Sequence, residues 1–175
     1  VSGTATVDLR EAPEFRAFYD AALPTVFGYF RCRCGGDPSV AEDLTQETFM
    51  AGVRELRRGT VVTAPGPWIL GIARHKLVDH YRRREREERK LVAFAGAAED
   101  QELLEWDGDE DRQRAIDVLA EVPTSQRAAL VLHYLDGFPV SEVARLLGKS
   151  EHATESLLAR GRQSFKRTYG EANDG

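Results

Sequence analysis

The residue types and spacings that could do chemistry fall into a few clusters. His75, Asp79 and His80 stand at i, i+4 and i+5 of one helical stretch, where imidazole and carboxylate can share a divalent cation. Asp43 and Glu47, also four apart, could add carboxylates. No nucleophile–base arrangement, phosphate-cradling glycine loop or His-Glu-x-x-His signature accompanies them, and Lys76 and Arg82 would repel a cation. Cys32 and Cys34 are one residue apart, poorly placed to bridge each other without strain and too few to close a zinc site. The chain therefore reads as a non-enzyme, with no metal and no cofactor expected.

Three other stretches suit binding. Trp68 to Arg84 has an aromatic start, an apolar stripe and a basic end, which lets a helix lie along phosphates with an aromatic ring near unpaired bases. Between Val140 and Ala159, Val143, Ala144 and Leu147 repeat at helical spacing, Gly148 stands where the helix must stop, and Ser150 can cap a second helix. That is the grammar of a helix-turn-helix, whose second helix reads base edges in the major groove. Its outward residues are expected to include Ser150, His152, Glu155, Ser156, Arg160, Arg162 and Lys166, while Lys149 and Thr154 occupy places where such motifs usually bury an aliphatic side chain. In the third stretch, Asp43, Gln46, Glu47, Met50 and Arg54 share one strip opposite Leu44, Phe49, Val53 and Leu56. A methionine beside Gln and carboxylates suits a protein partner, as an apolar anchor with a charged rim.

The elements that must position these residues are helical. The 175 residues are 42% hydrophobic, enough for one or two cored domains, and alternating strand patterns are missing. Helices are expected from about Pro13 to Arg33 with Pro24 kinking or dividing it, from Pro38 behind an Asp37 cap to Leu56, and from near Pro67 to Lys90. Beyond a linker come Arg112 to Val122, Thr124 to Leu135, Val140 to Leu147 and Glu151 to Tyr169. The formal charge of −5 hides an uneven distribution. Residues 74–90 carry 4 acidic and 8 basic side chains, whereas residues 91–121 carry 10 acidic and 2 basic. Small residues, glycine and like charge give 91–111 the composition of a flexible linker. The fold class expected is all-α, with two small helical domains, 1–90 and 112–175, on either side of that acidic linker. No apolar run reaches bilayer length and the N-terminus lacks a cationic leader pattern, so a cytoplasmic protein without membrane insertion is expected.

In their order, these motifs resemble the extracytoplasmic-function sigma factors of bacterial RNA polymerase. The likeness runs from about Phe15 to Arg167. It rests on Ala41-Glu42-Asp43-Leu44-Thr45-Gln46-Glu47-Thr48-Phe49, then on Trp68, Ile72, Ala73, Arg74, Asp79, Arg82 and Arg83, then on Pro123 to Arg127 and Tyr134 to Gly137 ahead of the helix-turn-helix. The resemblance implies a transcription initiation factor that binds core polymerase and directs it to promoters. Asp43, Gln46, Glu47 and Met50 would dock on the clamp helices of the largest subunit, with the polymerase flap a further contact. Trp68, Arg74, His75, Lys76, Arg82 and Arg83 would hold the minus-10 strand, a flipped base being received by the loop before Trp68. Lys149, Ser150, His152, Glu155, Ser156, Arg160 and Arg162 would read the minus-35 duplex. An anti-sigma factor is the expected inhibitory partner. The chain's end, a few residues past the recognition helix, is expected to leave no appended regulatory domain.

The sequence departs from the family pattern in places. His75 replaces a frequent Asn, and Glu155 and Leu157 replace positions that are commonly basic. The competing expectation is a free-standing helix-turn-helix regulator that binds operator duplex and does not need the Asp43 to Met50 strip.

Overall fold

A computed structural model of the chain describes Leu9 and residues 11–91 and 109–171. Most of the expected acidic linker, residues 92–108, lies outside the described residues. Among them are seven α-helices and one π-helical turn, and no strand: α1 Ala12–Arg33, α2 Pro38–Arg57, α3 Pro65–Leu91, α4 Asp109–Glu121, α5 Thr124–Leu130, the turn Val131–Leu135, α6 Val140–Leu147 and α7 Glu151–Glu171. The all-α class is as expected. Contacts divide the chain into two compact units, Val1–Leu77 and Val78–Gly175, so that α3 lends its first half to one and its second half to the other.

In the first unit, α1 runs as one helix through Pro24, so of the expected kink or division the division does not occur. The missing N–H costs one intrahelical bond, and burial of Val26 and Phe30 further along the helix offsets it. Asp37 ends the following turn as an N-cap, its Oδ1 accepting from Ser39 N at 2.9 Å and Val40 N at 3.4 Å, with Pro38 at the first helical position. Such a cap stabilises a helix by about 1 kcal/mol. One face of α2 is then buried: Ala41, Leu44, Thr45, Thr48, Phe49, Gly52 and Leu56. The two buried threonines cost little, because their hydroxyls donate to Ala41 O at 2.6 Å and Leu44 O at 2.7 Å. Ile69, Ala73 and Leu77 bury the matching stripe of α3. Aromatic rings fill the space between, with Phe18 centred 6.4 Å from Phe49 and 6.3 Å from Trp68.

In the second unit, α5 and α7 form the centre. Gly161 permits their approach, since a Cβ there would stand 3.0 Å from Leu130 Cγ. Val143, Ala144 and Leu147 of α6 and Leu157, Leu158 and Phe165 of α7 complete the core. The buried Arg127 donates to Leu119 O and Ala120 O, both at 3.3 Å, and so satisfies carbonyls that α4 leaves open at its end. The helix expected through Leu135 changes pitch at Val131, where Asp136 N reaches back to Val131 O at 3.0 Å. One extra residue per turn there widens the helix.

Candidate nucleic-acid interface

With one face of α2 in the core, helical geometry turns the other outward. Asp43, Gln46 and Met50 are exposed, Met50 at 54%. Glu47 is half-exposed and pairs with Lys76 of α3, Oε2 to Nζ 3.2 Å. Beside the strip lies an apolar groove of about 740 Å³ between α1 and α2, lined among others by Tyr19, Phe27, Phe49, Met50 and Val53.

The residues expected along the minus-10 strand take three different situations. Trp68 opens α3 half-buried, with its indole N–H donating to Glu55 Oε2 at 3.0 Å. Arg74 is half-buried, His75 is exposed and Lys76 is tied to Glu47. Arg82 and Arg83 belong to the second unit; Arg82 donates to Arg145 O at 3.4 Å and Arg83 is exposed. His75, Asp79 and His80 do not converge: the first two are exposed and His80 is buried, and among the described residues no three metal-ligating side chains come together. Burial holds His80 neutral, lowering its pKa to about 4, with Arg83, Arg84 and Arg127 adding to the effect and Glu87 opposing it.

The helix-turn-helix forms as its residues dictate. Gly148 adopts φ 66° and ψ 40°, a left-handed stop, and Lys149 N returns to Ala144 O at 2.9 Å. Ser150 Oγ then accepts from Ala153 N at 3.1 Å and starts α7. Thr154 and Lys149 fill the usual aliphatic places and are in fact covered. Thr154 is fully buried with its hydroxyl on Ser150 O, while Lys149 is 13% exposed because Glu85, itself 16% exposed, pairs with it at 2.7 Å. Lys149 and Arg89 together hold the Glu85 carboxyl below the ordinary range against the opposing effect of burial. Ser150, His152 and Glu155 are exposed on the first turns of α7. Ser156, Arg160 and Arg162 are half-buried, Arg160 Nε donating to Ser156 O at 3.1 Å and Arg162 to the Tyr134 hydroxyl at 3.1 Å. Leu157 is in the core, so of the two departures in the recognition helix Glu155 alone changes its surface.

These two constellations have counterparts among known proteins. Residues 18–87 match the sigma-70 region 2 family and residues 112–165 the sigma-70 region 4 family. The ECF RNA polymerase sigma factor SigC of Mycobacterium tuberculosis is 31% identical over 133 residues, covering 74% of this chain and 70% of SigC. The chain belongs to the ECF sigma factors. As such it is a transcription initiation factor that directs RNA polymerase to promoters.

BldN of Streptomyces coelicolor, another ECF sigma factor, is 32% identical over 164 residues, covering 90% of this chain, which spans 61% of the length of BldN. Among solved structures, the sigma factor RpoE of Bartonella quintana, crystallised with the anti-sigma factor NepR, is 22% identical with a TM-score of 0.49, covering 90% of this chain and 97% of that one.

Two features of this sigma factor escaped the sequence reading. Gln163 and Arg167 are exposed and extend the outer strip of α7 at the same helical spacing as His152 and Ser156, a periodic signal that was available. Glu55, the partner of Trp68, lies 13 residues upstream, and no local pattern links the two.

Proposed function

We propose that this sigma factor engages core polymerase through Asp43, Gln46, Glu47 and Met50, the minus-10 strand through Trp68, Arg74, His75, Lys76, Arg82 and Arg83, and the minus-35 duplex through Lys149, Ser150, His152, Glu155, Ser156, Arg160 and Arg162. The region 2-like part spans 1–90, the acidic linker 91–111 and the region 4-like part 112–175. Trp68 and Lys149 act from partly covered positions: Trp68 holds the loop before it, and Lys149 holds the turn that starts the recognition helix. Ser150, His152 and Glu155 stand at the base-reading end of α7, and Arg160 and Arg162 suit phosphates further along. The clamp helices and flap of polymerase are the protein partners, and an anti-sigma factor that covers the α2 strip is the inhibitory one. The action is binding without a chemical step, and it takes place in the cytoplasm alongside polymerase. No described helix is long and apolar enough to cross a membrane.

The observation that carries this reading over a free-standing operator-binding regulator is the exposed Met50 within its acidic and amide rim on α2. A regulator that needs duplex alone has no use for such a strip. Reconstituted transcription tests it: Asp43→Arg and Gln46→Ala, each with wild-type melting behaviour, should abolish promoter-dependent run-off product. Full activity in both would sink the docking assignment.

A further inference from the structure

The loop between α2 and α3, residues 58–64, is held at one end by the main-chain carbonyl of Glu55 and at the other by its carboxylate. Glu55 O accepts from Arg58 N at 3.0 Å and from Thr60 N at 3.2 Å, which fixes how the chain leaves α2. The Glu55 carboxylate accepts the Trp68 indole N–H at 3.0 Å, which fixes the helix the loop enters. Trp68 N in turn donates to Ala64 O at 3.0 Å. Gly52, one turn earlier on α2, leaves the slot into which the indole fits; a Cβ there would stand 3.0 Å from Trp68 Cη2 and 3.3 Å from Ile69 Cδ1. Between the two ends Val62 is buried with Leu9 and Leu56, with Phe15, Phe18 and Trp68 packed against them. Its neighbour Val61 is 71% exposed, the most exposed of the large hydrophobic side chains among the described residues.

A loop pinned at its ends and in its middle can present Thr60, Val61 and Thr63 in one arrangement. A receptor for an extruded base needs that, because discrimination between bases depends on side chains held still before the base arrives. The indole hydrogen bond is charge-assisted and half-buried, so it is among the stronger single contacts available for the purpose. We propose that Glu55 is a positioning residue for minus-10 base selection, acting through Trp68 and the 58–64 loop without touching DNA. The inference rests on the function proposed above, together with the role that the family resemblance implies for the loop before Trp68, the receipt of a flipped promoter base.

The test uses reconstituted holoenzyme on a promoter library varied through the minus-10 element. Glu55→Ala should lower the preference among bases at one minus-10 position by about tenfold, the size expected for loss of one charge-assisted hydrogen bond, with affinity for core polymerase unchanged. Glu55→Gln keeps an acceptor oxygen for the indole and should restore the preference. Trp68→Phe should reproduce the loss, and combining it with Glu55→Ala should add nothing further. In a Trp106→Phe background, Trp68 emission should shift in Glu55→Ala and return in Glu55→Gln, and the Trp68 indole N–H, which loses its acceptor, should exchange faster in Glu55→Ala. An unchanged base preference in Glu55→Ala, or an equal loss in Glu55→Ala and Glu55→Gln, would overturn the inference. If wild-type protein starts no promoter-dependent transcription, the functional reading falls instead, and Trp68 emission and indole N–H exchange still judge whether the Glu55 carboxylate holds Trp68.

Discussion

Lys76 Nζ stands 3.2 Å from Glu47 Oε2, and this ion pair joins the outward face of α2 to α3. Each residue belongs to a different proposed interface, Glu47 to polymerase and Lys76 to the minus-10 strand. While the pair is closed, part of the lysine's charge is spent inside the protein. Glu47→Gln is therefore expected to strengthen binding of the minus-10 strand by holoenzyme and to steepen the dependence of log K on log salt by up to about 0.7, the value for one further single-strand phosphate neutralised. The cost in stability should stay below about 1 kcal/mol, since both side chains are partly solvated. Salt titrations with a labelled single strand measure the slope. A slope equal to wild type would mean that Lys76 does not face the strand.

The recognition helix should separate reading from gripping. His152 is exposed near the start of α7, whereas Arg162 further along is steadied by the Tyr134 hydroxyl at 3.1 Å. His152→Ala is expected to relax the preference at one minus-35 position by about 1–3 kcal/mol and leave other positions alone. Arg162→Ala should weaken all minus-35 sequences alike, and Tyr134→Phe should give a smaller version of the same loss, because an unsteadied guanidinium must be ordered on binding. Competition binding over a set of single-base minus-35 variants distinguishes the two patterns.

What could be read from the sequence was local. Asp37-Pro38, Gly148 and Ser150 announce helix ends because caps and left-handed stops depend on neighbouring residues, and all three act as expected. The face of α2 was legible for the same reason, a 3.6-residue period with Leu44 inside and Met50 outside. Contacts between distant residues were not. Lys149 looked out of place until Glu85, 64 residues away, supplied its counter-charge. Leu157 stands at a position that is commonly basic in the family pattern, and only the packing of the folded unit shows that it is buried in the core. The π-helical turn at Val131–Leu135 was invisible, since one extra residue in a turn leaves no mark on an apolar run as continuous as Ala128 to Leu132.

Gly161 should be intolerant of even one methyl group. Alanine would favour the helix by about 1 kcal/mol, yet its Cβ would meet Leu130 Cγ at 3.0 Å and Gln126 Cβ at 3.3 Å. Leu130 is itself buried, so relief requires its side chain to shift within the core or α5 and α7 to separate. Overpacking of this kind costs about 1–3 kcal/mol and should outweigh the propensity gain. Gly161→Ala is expected to lower the urea midpoint without changing the slope of the transition. A midpoint at or above wild type would mean that Leu130 can shift or the helices can part at no cost.

The buried His80 makes stability depend on pH in a definite direction. Its folded pKa of about 4 lies below the ordinary 6.5, chiefly because burial disfavours the imidazolium, with Arg83 and Arg84 of its own helix and Arg127 of α5 adding repulsion and Glu87 attracting. Between those two values the unfolded chain binds the proton and the folded chain does not, so protonation pulls the equilibrium toward unfolding. The neutral-form advantage is complete above about pH 6.5, declines as pH falls, and stops declining below about pH 4. A difference of that size corresponds to about 3 kcal/mol in all, of which about 2 kcal/mol is gone by pH 5. Glu85 adds a further loss at more acid pH, below the ordinary carboxylate range, where its paired carboxylate is forced to accept a proton. His80→Leu removes the imidazole titration and should flatten the stability profile between pH 7 and 5, while Glu85→Gln should leave that window unchanged. Urea midpoints at pH 7, 6 and 5 provide the measurement, and a wild-type profile that is already flat across them would refute the assignment to His80.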